Sequence, residues 1–324
     1  MVLRFMATYI LNNVQRTTGE MALTTILLFQ MGIGTLANVT LFFFNVSPIL
    51  CGHKQRLPNT ILTHKTVANL LVLLSAGIPH KMAAFVLRKP LSSLGCKFVY
   101  YVQRIARSTT MCCTCVLSTH QFFILIPERA VWTMLRGRAP KIIDPSCCIC
   151  WVFSVLMNIY VPVKVTGSQD TGNSSDILGK WFCSSSTLSA GTVILWFVSD
   201  AVFIGLMIWS SGFMALFLYR HHQRMQYIHT PNGYRKCSPE TRAAHTVLML
   251  VATFVNFYAL NSIFVFYVAA FSDFRLWLIE TSNILASCFP TVSPFLLILR
   301  DSGVPRVTLI LGLHQETSKS ICKL

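Results

Sequence analysis

SAGTVILWFVSDAVFIGLMIWSSGFMALFLY, residues 189–219, holds a single charged side chain, Asp200, in a run of apolar residues. A helix needs about 20 mainly apolar residues to cross a hydrocarbon core of roughly 30 Å, and this run exceeds that. Six further segments have the same character: Met21–Leu50, Thr60–Val86, Cys96–Ile126, Ser146–Thr166, Ala243–Phe271 and Leu276–Leu299. The chain as a whole has 324 residues, 53% of them hydrophobic and only 12% charged. A soluble chain carries about 25% charged residues. So little charge cannot clothe a surface in water, and the expected fold is an all-α membrane protein, a bundle of seven transmembrane helices.

Strand-like alternation is absent, which argues against an outer-membrane barrel. No internal repeat suggests two matched transporter halves. The formal net charge of +16 does not point to nucleic acid, because no stretch combines dense basic residues with interleaved aromatics. Basic residues between apolar runs fit loops beside an anionic leaflet, so membrane lipid is the expected partner.

Seven spans place the chain ends on opposite sides. Lys and Arg concentrate in the loops after the first, third and fifth spans and in the tail, which predicts a cytoplasmic C-terminus. Residues 1–20 are then expected to form an extracellular N-terminus with no removable signal, residues 21–299 the seven-helix bundle, and residues 300–324 a cytoplasmic tail. Within the tail, "VPRVTLILGL" is expected to form a short interfacial helix. The sequons at Asn38 and Asn45 lie inside the first span and are predicted unusable. That at Asn173 lies in a loop this topology places outside, where glycosylation is expected.

Twelve cysteines include two C-x-x-C pairs, Cys112/Cys115 and Cys147/Cys150. Both fall within spans, where thiols are expected to pack as small apolar groups rather than hold a metal. Cys96 and Cys183 instead face the oxidising side, and a disulfide between them is expected.

Several stretches resemble vomeronasal type 1 receptors: "ILTHKTVANLLVLLSAGIPHKMAAF" (residues 61–85), "LGCKFVYYVQRIARS" (94–108), "SPETRAAHTVLMLVATFVNFY" (238–258) and "CFPTVSPFLLILRD" (288–301). The resemblance implies a seven-helix, G-protein-coupled pheromone receptor in the plasma membrane of chemosensory neurons. It further implies a small-molecule pheromone or odorant as ligand and a heterotrimeric G protein, of inhibitory type, as partner. Compared with rhodopsin-like receptors, Asn69 stands for the second-helix aspartate, His120-Gln121-Phe122 for Asp-Arg-Tyr, and Ser293-Pro294 with Leu297 for Asn-Pro-x-x-Tyr. Lys65 replaces a leucine of the family itself. Near the inner end of its helix, its ammonium is expected to snorkel to the interface.

Arg104 and Arg107 are the costly residues. Measured from Cys96 at 1.5 Å per residue, they lie ~12 and ~16 Å into the membrane. Three residues apart, they share a helix face and are expected to look into the bundle. Buried cations need partners. Asp200 and Glu280 are the two acidic residues in predicted spans, so structural ion pairs are one reading. An anionic or carbonyl-bearing ligand gripped by the planar guanidinium forks is the other, and the two are compatible. Tyr100, Met111, Trp196, Phe197, Phe264 and Tyr267 are expected to line the ligand site, while Asn256, Asn261 and Asn283 are expected to hydrogen-bond between helices. On the cytoplasmic face, Gln121, Arg220, Arg224 and Arg242 are the residues expected to meet a G protein. No nucleophile–base set, metal cluster or phosphate loop appears, so neither enzymatic activity, a cofactor nor a metal is expected. A transporter or channel subunit is the alternative, but the polar groups cluster in the outer half rather than along a path through the membrane.

Overall fold

The computed structural model describes residues 2–50, 57–77, 93–125, 146–166, 184–185, 190–227, 239–271 and 276–300. Among these, seven long helices occur: α1 (Val2–Leu50), α2 (Leu57–Gly77), α3 (Ser93–Leu125), α4 (146–157), α6 (Ala190–Tyr227), α7 (Pro239–Phe271) and α8 (Leu276–Arg300). The four-residue α5 (Val161–Lys164) runs into β1 (Val165–Thr166), which pairs antiparallel with β2 (Ser184–Ser185). Five helical segments are long and apolar enough to cross a membrane: Thr25–Ser47, Ser146–Val163, Ile194–Arg220, Thr241–Phe264 and Thr281–Ile298. α2 and α3 carry more polar and charged residues and fall below that apolar threshold, yet both sit among the others in one bundle. α1 starts at Val2, so helix reaches back through the segment expected to be a separate N-terminus; no proline interrupts it before Pro48. The tail after Arg300, Asn173 and Cys183 lie outside the described residues.

Each helix turns a narrow stripe inward and leaves the rest apolar and exposed. In α6 the buried positions Met207, Ser210, Met214 and Leu218 recur at helical spacing, while Ile194, Val202, Leu206, Trp209, Phe213 and Leu216 face outward. In α1 the inward stripe is Leu27, Gly34, Asn38, Leu41 and Asn45; Phe29, Leu36 and Phe43 face out. In water such faces would be costly, whereas in a bilayer the solvent is itself apolar. Burial of Asn38 and Asn45 makes both sequons unreachable, as the sequence implies.

α3 is the central helix, packed against α2, α6 and α7, while α8 packs against α1, α2 and α7. A core of Met111, Cys113, Leu117, Met207, Met214, Leu250 and Phe254 lies between α3, α6 and α7. Small residues allow close approach. A Cβ on Gly34 would lie 2.8 Å from Thr291 Oγ1 and 2.9 Å from Leu73 Cδ1, so α1 meets α8 and α2 there without room for a side chain.

Prolines break the ladder at identifiable places. Pro162 has no N–H for the Asn158 carbonyl, which accepts instead from Val161 N–H at 3.0 Å; the chain turns at residues 158–160 and separates α4 from α5. Pro294 likewise leaves the Pro290 carbonyl without its i+4 donor. Asn38 Nδ2 of α1 fills that vacancy at 2.9 Å.

Two expectations are corrected. Lys65 does not snorkel: it is 1% exposed, with its ammonium turned into the bundle. Cys112 and Cys150 are joined by a disulfide between α3 and α4, their Cα atoms 5.8 Å apart, so they are not both free packing thiols. The helix faces that bear the two C-x-x-C pairs meet each other, and neighbouring Cys113 and Cys147, which are not disulfide-bonded, interact through a hydrogen bond.

Candidate functional site

α3 brings its two arginines to the junction with α6 and α7. The Arg104 guanidinium lies over the indole of Trp196, 3.9 Å from the ring centroid. The indole is itself fixed by Nε1 donating to the Met157 carbonyl at 3.0 Å. The Arg107 guanidinium lies 5.4 Å from the centroid of Tyr258. A desolvated cation over an aromatic face gains about 2 kcal/mol, which offsets part of the cost of removing it from water.

Arg107 also has a bidentate neutral partner. Asn261 Oδ1 accepts from Arg107 Nη2 at 2.8 Å and Nη1 at 3.3 Å, while its amide nitrogen donates to Ser282 Oγ and O at 3.0 Å. The opposite amide orientation would set NH2 against guanidinium donors. Asn261 thus links α3, α7 and α8, fulfilling the inter-helix role expected of it.

Asp200 is held by Tyr258, whose hydroxyl donates to Asp200 Oδ2 across the α6–α7 contact. Among the described residues neither arginine sits within ion-pair distance of Asp200, although its charge still acts on Arg104 from further off. The two guanidinium groups meanwhile repel one another. Arg104 Nε is buried without an acceptor. The described cluster therefore holds two cations, one carboxylate and an unused donor.

Beneath it lies a cavity of ≈ 30 Å³, lined in part by Arg107, Thr110, Tyr258, Asn261, Phe289 and Pro290, with Val72, Phe254, Phe257, Leu285 and Ala286 completing the wall. That is room for about two waters. Ligand pockets for organic molecules run to about 300–1,000 Å³, so an organic occupant must displace side chains.

The structure thus gathers Arg104, Arg107, Trp196 and Asp200, but distributes the other expected lining residues differently. Met111 is buried in the α3–α6–α7 core, not at the cavity. Tyr100 packs near Cys96 and Val161 at the end of α3. Phe197 is 74% exposed and points out of the bundle, and Asn256 is exposed too, so neither serves as expected. Phe264 is half-buried on α7 away from the cavity wall. The side chains of Tyr267 and Glu280 lie outside the described residues. Tyr258 and Phe289, which shape the cavity, are not singled out by the sequence. Both sit in quoted helices, and only their facing distinguishes them from their neighbours.

At the same end, β1 lies against α3, and the β1–β2 pairing sets Ser184 against Thr166. Cys96 is disulfide-bonded. At the other end Gln121 is buried, Arg242 half-buried and Arg220 exposed; the side chain of Arg224 lies outside the described residues. Among the described residues no group of three or more His, Cys, Asp or Glu is placed to hold a metal ion.

The bundle, with its lipid-suited faces and a small, mainly apolar cavity among α2, α3, α7 and α8 into which Arg107 and Asn261 reach, defines a multi-pass membrane protein of the seven-helix receptor type. Its sequence matches the vomeronasal organ pheromone receptor family over residues 21–309. It is 37% identical over 280 residues to vomeronasal type-1 receptor 1 of Homo sapiens, covering 86% of this chain and 79% of that one. To vomeronasal type-1 receptor 3 of Homo sapiens it is 37% identical over 295 residues, covering 89% and 94%. To olfactory receptor class A-like protein 1 of Danio rerio it is 30% identical over 278 residues, covering 84% and 86%. The chain belongs to the vomeronasal organ pheromone receptor family, whose members are receptors and not enzymes.

Proposed function

We propose that this chain is a chemosensory pheromone receptor that binds a small organic ligand at the Arg104–Arg107 end of the bundle and activates a heterotrimeric G protein. The observation that carries this reading is the state of the two arginines. Arg107 faces a cavity with a neutral carbonyl and an aromatic face as its partners, and Arg104 keeps a buried donor without an acceptor. A ligand with carboxylate, sulfate or carbonyl oxygens would meet both needs, because a planar guanidinium binds paired oxygens through two parallel hydrogen bonds.

The N-terminus faces outward and the C-terminus the cytoplasm, in the plasma membrane of chemosensory neurons. A Cys96–Cys183 disulfide ties the loop after α5 over the mouth of the site, and Asn173 in that loop carries glycan. Because the cavity is small, binding requires the helices to part, and a ligand drives that change only as far as it prefers the opened form. At the cytoplasmic end Arg220, Arg224 and Arg242 meet an inhibitory-type G protein, and Gln121, buried in the present arrangement, becomes reachable when the end of α7 swings out.

The test is nucleotide exchange on an added inhibitory-type G protein, in membranes holding the chain, against a panel of small acidic, sulfated and neutral odorants. Acidic or carbonyl-bearing compounds should drive exchange, and Arg107→Ala should lower potency at least ~10-fold at equal surface expression, the equivalent of about 1.4 kcal/mol. Unchanged potency in Arg107→Ala would remove the site from the proposal.

A further inference from the structure

Lys65 lies one turn before Asn69 on α2, fully buried, in a knot of neutral polar groups from four helices. Its Nζ donates to Ser293 Oγ at 2.8 Å and lies 4.9 Å from the centroid of the Phe289 ring. Asn69 Nδ2 donates to the same Ser293 Oγ at 3.0 Å and to Asn38 Oδ1 at 3.1 Å. Thr110 Oγ1 of α3 donates to Asn69 Oδ1 at 3.3 Å, and Asn38 Nδ2 caps the Pro290 carbonyl of α8 at 2.9 Å. Among the described residues no carboxylate contacts the ammonium. A buried amine with so few partners holds its place only while each contact survives, since losing one leaves a polar group unpaired in a dry site.

The knot shares three residues with the cavity. Thr110, Phe289 and Pro290 line the cavity wall and also serve the knot: Thr110 holds Asn69, Phe289 offers its face to the ammonium, and Pro290 accepts from Asn38. Phe289 is further wedged edge-on against Phe254, another lining residue, at 4.7 Å between centroids. Any occupant larger than two waters must push on this wall. The yielding side is α8, where Pro290 and Pro294 have already interrupted the hydrogen-bond ladder.

We infer that Lys65 is a latch between α2 and α8, read directly by the cavity. An occupant that displaces Phe289 and Thr110 strips the ammonium of its aromatic face and disturbs the Asn69–Ser293 bond that positions its acceptor. The Lys65–Ser293 contact then opens, and α8 moves against α2 at its proline bend. The two-state element is this contact, biased from the cavity side. The inference rests on the cavity being the ligand site, but the latch can be tested without a ligand.

The experiment is reductive methylation of the full-length chain in lipid nanodiscs with formaldehyde and cyanoborohydride, read by mass spectrometry. Half-buried Lys97 serves as the internal reference. Wild-type Lys65 should remain protected. Ala286→Leu fills the cavity as a tethered occupant, and Ser293→Ala removes the acceptor. Each should raise the Lys65 rate relative to Lys97 by ~10-fold, the effect of about 1.4 kcal/mol of opening. Lys65 as protected in both variants as in wild type would overturn the latch. If Ala286→Leu loses its melting transition, Ala286→Val carries the same test with a smaller intrusion. Absence of any ligand-driven nucleotide exchange would count against the receptor reading alone, because the labelling does not depend on it.

Discussion

Asn261 presents its carbonyl oxygen to both terminal nitrogens of Arg107, at 2.8 and 3.3 Å, and so gives a half-buried cation a neutral acceptor where a carboxylate would fit. Asn261→Asp would turn this contact into an ion pair of the same shape. It should raise the melting temperature and weaken binding of anionic ligands, since the guanidinium would then be neutralised from within. Asn261→Leu should instead cost about 1–3 kcal/mol by leaving Arg107 without its bidentate partner. Thermal melting of both variants in detergent checks the pair, and equal melting temperatures would contradict it.

Tyr258 has two tasks, donating to Asp200 and offering its ring to Arg107. Tyr258→Phe keeps the ring and removes the hydroxyl, so it isolates the first task. The Asp200 carboxylate would lose a charge-assisted hydrogen bond, with an expected loss of about 1.5–3 kcal/mol. A double-mutant cycle with Asp200→Asn should show coupling between the two sites, whereas Tyr258→Phe combined with Trp196→Ala should be close to additive.

Cys112 and Cys150 enclose a sequence separation of 38 residues. In the chain-entropy account, closing a loop of that size contributes about 4 kcal/mol. Non-reducing peptide mapping should recover a cross-linked pair that contains both cysteines. Cys112→Ser should lower the melting temperature, and adding a membrane-permeant reductant should have no further effect on that variant at this pair. Recovery of both thiols unlinked from the untreated protein would rule the bond out.

How far the sequence reveals this architecture follows from the solvent. The seven-helix fold is legible because the length of an apolar run is set by bilayer thickness, and α3, α7 and α8 start or end within a few residues of the expected limits. Facing is not legible, because lipid and protein interior are both apolar and amphipathic periodicity fades. Met111 and Phe197 are equally good lining residues by composition, yet one is core and the other faces out at 74% exposure. Polarity narrows this ambiguity without removing it: Arg107 and Asn261 stand out in the sequence and face inward, Asn256 stands out equally and is exposed, and Tyr258, aromatic and half-apolar, does not stand out at all. Lys65 misleads for a different reason. Its position along the helix permits snorkelling, but Ser293 and Phe289 across the α2–α8 contact supply partners that only tertiary structure shows. The Cys112–Cys150 bond is hidden because spacing within each C-x-x-C pair carries no information about which helix lies opposite.

Gly34 gives the sharpest packing test. A side chain there would meet Thr291 Oγ1 at 2.8 Å, Leu73 Cδ1 at 2.9 Å and the Thr291 Cα at 3.3 Å. The Leu73 methyl can turn aside, but the Thr291 backbone cannot, and Thr291 Oγ1 is held by its own bond to the Ser287 carbonyl at 2.8 Å. Gly34→Ala must therefore push α1 away from α8, with an expected cost of about 1–3 kcal/mol. The Gly34 carbonyl also accepts from Asn38 Nδ2 at 2.7 Å, so the displacement reaches the amide that caps Pro290. Gly32, on the outward side of the same helix with nothing within 4 Å of its own added Cβ, is the control. Gly32→Ala should melt at or slightly above the wild-type temperature, because alanine is the better helix former by about 1 kcal/mol. If the two alanine variants melted alike, α1 and α8 would not be in the close contact on which the Asn38–Pro290 bond depends.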